Sequence, residues 1–535
     1  MEQLDYITLS LYFVLLLAVA WWVIRQENKN TEDYFLAGRN VGWFVIGASI
    51  FASNIGSEHV VGLAGTGAKS GMPMAHYELH AWIVLLLGWL FLPFYMRADV
   101  FTMPEFLEKR FDSRSRWFLS IFSIIGYVLT KVSVTIYAGG IVVAALLDIP
   151  FLYGALGTVV ITGIYTVIGG MRAVVYTEAM QTMILILGSL MITNYGYTAI
   201  GGFDELRATV GSNHFNMWRP ATDPDFPWTG MLFGGTIVGI WYWCTDQYIV
   251  QRTLSAANIQ VGRRGAIFGA YLKILPIFIF LIPGIIAFGL KQKGLLAYDK
   301  SDEVFPAMVQ QLLPTGLKGL VAGGLMAALM SSLASVFNSS STLFTVDIFK
   351  KMYPDTSEKR LLNIGRVATA IVVVLGILWI PIMQKIGGGV LYQYLQNIQA
   401  YIAPPITCVF VLGILWKRVN AQGAIATLSF GLVMGTLRII AELTTTEAST
   451  GAWATFAQIN FAHMAIIMFV LCVVVCIAVS LATPAQSEAQ ISGLSYGTLT
   501  AEHRAMNKGS YGLIDVVASV FLVVVVIGVL AYFTG

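Results

Sequence analysis

The chain has 535 residues, of which 57% are hydrophobic and 11% are charged, whereas a soluble domain carries about 25% charged residues. A net charge of +3 without a Lys/Arg cluster argues against a nucleic-acid partner. Uncharged stretches of about 20 residues, the length that crosses a hydrocarbon core, recur along the chain. Because these runs are continuously apolar, they differ from the alternating segments of an outer-membrane barrel. The sequence therefore predicts an all-α membrane protein in a lipid bilayer.

Hydropathy predicts about fourteen transmembrane helices. They are expected near 5–25, 42–67, 75–97, 117–147, 150–171, 173–200, 228–251, 263–290, 314–347, 362–384, 388–416, 420–441, 457–482 and 511–533. Alternate loops collect most of the Lys and Arg residues, so the positive-inside rule predicts that both termini lie outside. Glu2 and Asp5 replace the positive start of a signal peptide, and the first segment is expected to be retained. The four cysteines lie in apolar runs and are interpreted as core residues.

Two of these hydrophobic segments contain polar interruptions. Residues 52–59 (ASNIGSEH) place polar and ionisable groups at mid-depth in the second segment, and residues 241–247 (WYWCTDQ) do so about five helices later. Irregular backbone at membrane depth is tolerated only where it is buried in protein or lines a cavity. Paired broken helices at corresponding positions of two halves are typical of inverted-repeat transporters.

This pattern predicts a division of the chain into five parts. An extra helix and inner loop (1–41) precede a first five-helix repeat (42–200), and an outer loop (201–227) leads to the second repeat (228–416). Three additional helices follow (417–535). The two repeats show no direct sequence similarity, so the division rests on position and pattern.

Ionisable residues within the predicted spans are candidates for function because they are costly in a membrane. They are Glu58, His59, Glu78, His80, Lys131, Glu178, Asp246 and Lys273. A buried ion pair or a side chain that reaches the interface is the alternative for each. A mixture of Glu, His, Lys, Asn and Gln suits a neutral polyol, because hydroxyls need both donors and acceptors. No Arg lies at mid-depth in either interruption to bind a carboxylate substrate.

Two further groups of side chains point the same way while leaving alternatives open. Ser331 and Ser332 lie in the uncharged stretch 319–346. Together with backbone carbonyls freed at Ala52 and Ile55, their hydroxyls would suit a small hard cation, although serines in membrane helices often bond to backbone instead. The aromatic run at 241–243 would either stack on a sugar ring or pack in the core.

These segments resemble the sodium/glucose cotransporters of the solute:sodium symporter family over nearly the whole chain. The most specific pieces are DYFLAGR (33–39), FASNIGS (51–57), GLAGTG (62–67), TMPEF (102–106), WYWCTDQ (241–247), IVQR (249–252), YLK (271–273), SSLAS (331–335), FN (337–338) and TVD (345–347). The resemblance implies a LeuT-type fold of inverted five-helix repeats and import of a hexose with Na⁺ by alternating access.

The resemblance also implies roles for individual residues. A sugar site is expected at Asn54, His59, Glu78, Tyr242, Lys273 and Gln396, with Tyr242 also as the inner gate. The outer gate is expected at Leu63, Tyr77 and Tyr392. The Na⁺ ligands are expected to be the carbonyls of Ala52, Ile55 and Ala328 and the hydroxyls of Ser331 and Ser332.

Several positions depart from the family pattern. Ala334 replaces a Thr of members that couple two sodium ions, and Glu178 replaces an Asp, while Ser335 is kept; we therefore expect one sodium per sugar. Gln393, Gln399 and Gly239 replace residues seen near the sugar in glucose-specific animal members, which leaves the substrate open. The animal members' cysteine-rich outer loop is missing after Gln292, so a bacterial inner membrane is expected.

Other functions remain possible at this stage. A sodium-driven transporter of myo-inositol or another polyol is the alternative within the same class. A uniporter or solute pore on the same fold would move its substrate without sodium. A membrane enzyme using Glu58, His59 and Glu78 would leave the second interruption and the serine pair unexplained. No obligate protein partner is evident.

Overall fold

The computed structural model describes residues 1–26, 29–56, 58–386, 391–446 and 449–535, apart from the side chains of 58, 128–130, 133, 138, 302 and 379–395. These residues form helices, and no β-strand occurs among them. The longer helices are Gln3–Ile24, Trp43–Asn54, Ser113–Gly126, Ser133–Leu147, Phe151–Ile200, Ile259–Leu272, Ile282–Gln292, Leu317–Thr342, Glu358–Ile386, Leu391–Leu415, Ala421–Thr444, Phe461–Ala482 and Leu513–Tyr532. The shorter ones include Ala64–Ser70, Ala81–Leu86, Leu92–Ala98, Met103–Arg110, Gly235–Ile240, Gln247–Leu254 and Val304–Leu312.

The number of membrane spans differs from the expected fourteen. Within the described residues, 10 helices are long and apolar enough to cross a membrane, or 11 if the bent pair formed by Trp43–Asn54 and His59–Ser70 is one span. One reason is that Phe151–Ile200, 50 residues that cover two predicted spans, enters this number once although it is kinked inside. Its backbone breaks at Gly170, where φ is 59° and ψ is −154°. The count of fourteen is therefore not confirmed.

Both predicted interruptions are present. In the first broken segment (residues 43–70), helix Trp43–Asn54 meets the second half at an angle of 63°. In the second broken segment (residues 230–254), helix Gly235–Ile240 passes into a π-helical turn, Trp241–Thr245, which ends at the extended residue Asp246. The Asp246 side chain then caps helix Gln247–Leu254 by accepting a hydrogen bond from Tyr248 N.

The helix Leu317–Thr342, which we call the serine helix, lies in the centre of the bundle against Phe151–Ile200. Small residues allow this close approach: a methyl group on Gly324 would lie 3.2 Å from the Ile184 carbonyl oxygen, and one on Gly188 would lie 3.3 Å from Val321 Cα. Its other side faces Trp43–Asn54. The serine helix thus borders the first broken segment.

Both chain ends lie on the same face of the bundle. At the N-terminal end, Asp5 Oδ1 accepts a hydrogen bond of 2.6 Å from Gly316 N. At the C-terminal end, Met217 N donates to the Phe533 carbonyl oxygen over 3.0 Å. Lys293, at the end of helix Ile282–Gln292, pairs with Glu205 in the short helix Phe203–Val210, which precedes Met217. The prediction that this face is the outer one stays a prediction.

The close contact between helix Ile282–Gln292 and the second half of the first broken segment gives a test of the packing. A methyl group on Gly284 would lie 2.0 Å from the Ala64 carbonyl oxygen, so Gly284→Ala should lower the free energy of unfolding by about 1–3 kcal/mol. Gly157→Ala is the matched control, because a methyl group there meets nothing within 4 Å. Thermal unfolding in detergent measures both, and equal stability of the two variants would contradict the packing described here.

Candidate functional site

The two broken segments border a cavity that residues of both help to line. Six residues expected at the sugar site line it: Asn54, His59, Glu78, Tyr242, Lys273 and Gln396. The cavity is also lined by Tyr77, one of the expected gate residues. Leu63 is fully buried and is not part of the lining, and the side chain of Tyr392 lies outside the described residues.

Irregular helix geometry places three of these side chains. Asn54 is the last residue of its half-helix, His59 lies in the π-helical turn Glu58–Leu63, and Tyr242 lies in the turn Trp241–Thr245. Such turns are rare and frequently occur at functional sites. Asn54 Nδ2 donates a hydrogen bond of 3.2 Å to Tyr242 OH. This bond joins the two broken segments directly.

A buried charged group forms one wall of the cavity. Lys273 Nζ lies 2.5 Å from Glu78 Oε2, and His59 Nε2 lies 3.5 Å from Glu78 Oε1. The side chains of Glu78 and Lys273 are 1% and 4% exposed. A buried carboxylate and ammonium compensate each other at this distance, so the wall offers hydrogen bonds without a net charge.

A second ion pair lies beside Tyr242. Lys131 Nζ is 2.8 Å from Asp246 Oδ2, and Tyr127 OH donates to the other oxygen of the same carboxylate. The Lys131 ammonium also lies 3.8 Å from the ring centre of Tyr248 and 4.5 Å from that of Tyr242, which is cation–π geometry. This pair therefore fixes the aromatic part of the second broken segment.

Three polar atoms around the cavity have no hydrogen-bond partner in the part of the chain that the structure describes. They are Asn54 Oδ1, Tyr77 OH and Gln396 Oε1. Buried polar atoms are normally paired, and each unpaired one costs about 1–3 kcal/mol. A ligand with several hydroxyls would satisfy both the acceptors and the phenol.

Three of the five expected sodium ligands, Ala52, Ala328 and Ser331, lie together where the serine helix meets the first broken segment. Ser331 Oγ donates to the Ala52 carbonyl oxygen over 2.9 Å and lies 3.0 Å from that of Ala328. Ser332 Oγ lies 3.5 Å from the Ser53 carbonyl oxygen. Ile55, also expected as a ligand, is the buried residue that follows the first half-helix. Uncharged oxygens in this number suit a small hard cation.

Glu178 lies close to this region but is already bound by protein groups. Its carboxylate is 3.1 Å from Arg252 Nη2 and accepts hydrogen bonds from Ser49, Ser53 and Ser335. Arg252 Nη2 also donates to Ser335 Oγ. The Arg252 guanidinium therefore lies beside Glu178 and Ser335, the residues expected to border a second sodium site if one were present.

The cavity also contains residues that the sequence did not assign to the site. Lys131 and His80 line it, and both had been recognised only as ionisable residues within spans. Tyr248 lines it as well, and its hydroxyl donates to the Ser53 carbonyl oxygen. Tyr248 carries no signal of its own, because a tyrosine within a membrane helix is unremarkable as a residue type.

The chain is similar in sequence to known transport proteins. Residues 34–431 match the sodium:solute symporter family. The chain belongs to this family. It is 38% identical to a sodium/myo-inositol cotransporter 2 of Bos taurus, over 93% of this chain and 79% of that protein. It is 39% identical to a sodium/glucose cotransporter 1 of Oryctolagus cuniculus, over 88% of this chain and 77% of that protein.

Solved structures show the fold. A Na⁺-coupled sialic acid symporter in a substrate-bound, outward-open state superposes with a TM-score of 0.77 at 23% identity, over 91% of this chain and 99% of that chain. Mhp1, a nucleobase-cation-symport-1 family transporter, gives a TM-score of 0.50 at 12% identity, covering 88% and 99% of the two chains. The predicted family, the LeuT-type fold and sodium as the co-transported ion are thereby confirmed. The substrate and the role of each residue stay predictions.

The Glu78–Lys273 pair gives a test that separates stability from binding. Glu78→Gln should leave Lys273 buried without its counter-charge and lower the free energy of unfolding by about 3–5 kcal/mol. Combining it with Lys273→Met removes both charges, so the double variant should unfold near the wild-type temperature while substrate uptake stays lost. Thermal unfolding and uptake are measured on the same preparations. A double variant less stable than Glu78→Gln would contradict the pairing.

Proposed function

We propose that this chain imports a neutral hexose of the glucose or galactose type with one Na⁺ per sugar by alternating access. The observation that carries the proposal is the set of unpaired buried oxygens around the cavity, on Asn54, Tyr77 and Gln396. Sugar hydroxyls donate and accept hydrogen bonds, so one ligand of this class satisfies all three groups. The proposed binding residues are those of the predicted sugar site.

The charges around the cavity favour a neutral ligand. Lys273 is paired with Glu78 and Lys131 is paired with Asp246, so the protein already balances both lysines. An anionic substrate would have to compete with Glu78 or Asp246 for its lysine. The carboxylate that lost its lysine would then remain buried without a counter-charge. A neutral polyol enters without disturbing either pair.

Sodium is proposed to bind between the first broken segment and the serine helix. The proposed ligands are the carbonyl oxygens of Ala52, Ile55 and Ala328 and the hydroxyls of Ser331 and Ser332. On binding, Ser331 would turn its hydroxyl hydrogen away from the Ala52 carbonyl oxygen, and both oxygens would coordinate the ion. The ion would then hold the two elements together.

The gates follow from the same arrangement. Tyr242 is proposed as the inner gate, held by Lys131 on one side and by the Asn54 hydrogen bond on the other. Leu63, Tyr77 and Tyr392 are proposed as the outer gate. The proposed repeats, 42–200 and 228–416, would each contribute one broken segment to the site.

The coupling ratio of one sodium per sugar is supported by Arg252. Its guanidinium occupies the neighbourhood of Glu178 and Ser335, where it supplies the positive charge that a second ion would bring. One sodium moving down about 100 mV and a tenfold gradient releases about 3.7 kcal/mol, which suffices for roughly 500-fold accumulation of a neutral sugar. One ion is therefore enough for uphill import.

A cyclic polyol is the second candidate substrate. Relatives named as sodium/myo-inositol cotransporters are 38% to 41% identical to this chain, a similarity comparable to that of the named sodium/glucose cotransporters. The unpaired oxygens of the cavity suit ring hydroxyls of either substrate. For both, we propose a location in the plasma membrane; a bacterial inner membrane stays a prediction.

Uptake into proteoliposomes tests the proposal. Labelled galactose, glucose and myo-inositol are offered with an inward sodium gradient or with choline in its place. We expect one of the hexoses to accumulate above equilibrium only with sodium, with initial sodium and sugar fluxes in a ratio of about one. If only myo-inositol accumulates, the transported substrate is the polyol and the assignment of a hexose is wrong. Sodium-independent equilibration would indicate a uniporter or pore and contradict the proposal.

A serine substitution tests the sodium ligands. Ser332→Ala removes one of five proposed oxygens, so the sodium concentration for half-maximal uptake should rise by about tenfold or more. Ser340→Ala is the matched control: it lies two turns further along the same helix, and its buried hydroxyl has no hydrogen-bond partner among the described residues. An unchanged sodium dependence in Ser332→Ala would exclude this hydroxyl as a ligand.

A further inference from the structure

His80 lines the cavity, and the residues of the neighbouring helix that lie beside it include two glycines, Gly235 and Gly239. Its imidazole lies against helix Gly235–Ile240 and beside Tyr77, with the two ring centres 5.1 Å apart. A methyl group on Gly239 would lie 2.8 Å from His80 Nδ1, whereas one on Gly235 would lie 3.5 Å from His80 Nε2. The same methyl group would lie 2.5 Å from Ile83 Cδ1, so the imidazole and the end of the Ile83 side chain together occupy the space that any other residue at position 239 would take.

The ring nitrogens of His80 make no hydrogen bond to another residue in the described part of the chain. The side chain is nevertheless buried, with the residue 5% exposed. A neutral imidazole has one donor and one acceptor, and buried polar groups are normally paired. Because His80 borders the cavity, a bound ligand is the partner that remains for these atoms.

We propose that His80 is a further substrate-contacting residue that selects for one hydroxyl of the transported sugar or polyol, and that glycine at position 239 is what makes room for it. This inference rests on the proposed function, because it requires a hydroxylated substrate. A hydroxyl both donates and accepts, whereas a ring oxygen or a methoxy group only accepts. An imidazole that presents both roles thus distinguishes a substrate hydroxyl from its deoxy or methylated form.

The experiment measures inhibition of labelled-substrate uptake by the complete series of monodeoxy derivatives of the transported compound. In the wild type we expect one derivative to inhibit at least about tenfold more weakly than the parent through loss of the His80 contact. His80→Phe keeps a ring but removes both hydrogen-bonding atoms. In this variant the parent compound should inhibit uptake about tenfold more weakly than it does in the wild type. The ratio of inhibition constants between that one derivative and the parent should fall below about threefold.

Two comparisons separate binding from packing. The differences at the other ring positions should stay at their wild-type values in His80→Phe, because those hydroxyls contact other residues. His80→Gln restores a donor and an acceptor and should recover at least part of the selectivity. If His80→Phe keeps the wild-type difference at every position, the imidazole only packs and the inference is wrong.

Glycine variants test the second half of the inference. Gly239→Ala should displace the imidazole and reduce the same difference, whereas Gly235→Ala, one turn earlier on the same helix, should keep the wild-type pattern. If Gly239→Ala fails to fold, the triple variant His80→Ala with Ile83→Val and Gly239→Ala removes both side-chain clashes and should give folded protein without selectivity at that position. Wild-type selectivity in Gly239→Ala would overturn this part.

The proposed function and this inference fail differently. If the wild type accumulates no sugar or polyol with sodium, the proposed function is wrong and the inference falls with it. If the wild type transports a sugar and the His80 variants keep its selectivity, only the inference is wrong.

Discussion

Backbone polar groups freed at the first break must find partners inside the bilayer, and the site is arranged around this requirement. An unpaired carbonyl or amide costs several kcal/mol in hydrocarbon. The Ala52 carbonyl oxygen accepts from Ser331, and the Ser53 carbonyl oxygen accepts from Tyr248. These donors come from the serine helix and from the second broken segment. The break is therefore stable only where both elements lie beside it, and that is where the cavity and the proposed ion site lie.

Three buried ion pairs surround the site: two join the second broken segment to neighbouring helices, and the third lies beside His59 of the first. Lys131 pairs with Asp246, Lys273 lies against Glu78, and Arg252 lies against Glu178. Each charge is costly in a membrane by itself and tolerable when its partner is close. The pairs leave the cavity without an excess charge, which suits the neutral substrate proposed here. They also specify which helix surfaces must meet, because a shifted contact would leave a buried charge uncompensated.

The sequence was sufficient to predict the elements that depend on local composition. Apolar runs predicted the helices, and polar residues at 52–59 and 241–247 predicted the two breaks, because both signals are contained in the segments themselves. The number of spans was not confirmed, in part because the two spans predicted within Phe151–Ile200 follow each other directly across a kink at Gly170 and count as one element.

Residues whose role depends on tertiary contacts were harder to find. Lys131 and Asp246 were recognised as ionisable residues within spans, but their pairing required helices that are distant in the sequence to be placed together. Gly239 was noticed as a departure from related proteins. The reason it matters, the proximity of His80, becomes visible only when the two helices are packed. Patterns in a single sequence indicate the local structure of a segment. They do not show the space that a small residue on one helix leaves for a side chain on another.

Coupling between the proposed ion and sugar sites would depend on the position of Asn54. A ligand shifts a conformational equilibrium only by binding one state more tightly than the other. An ion present at about 100 times its dissociation constant contributes about 2.7 kcal/mol, whereas a change from 1:99 to 99:1 needs about 5.5 kcal/mol. Sodium at the proposed site would thus leave the change incomplete. Asn54 is two residues from Ala52 and hydrogen-bonds to Tyr242, so a sugar there can supply the remainder through the same broken segment.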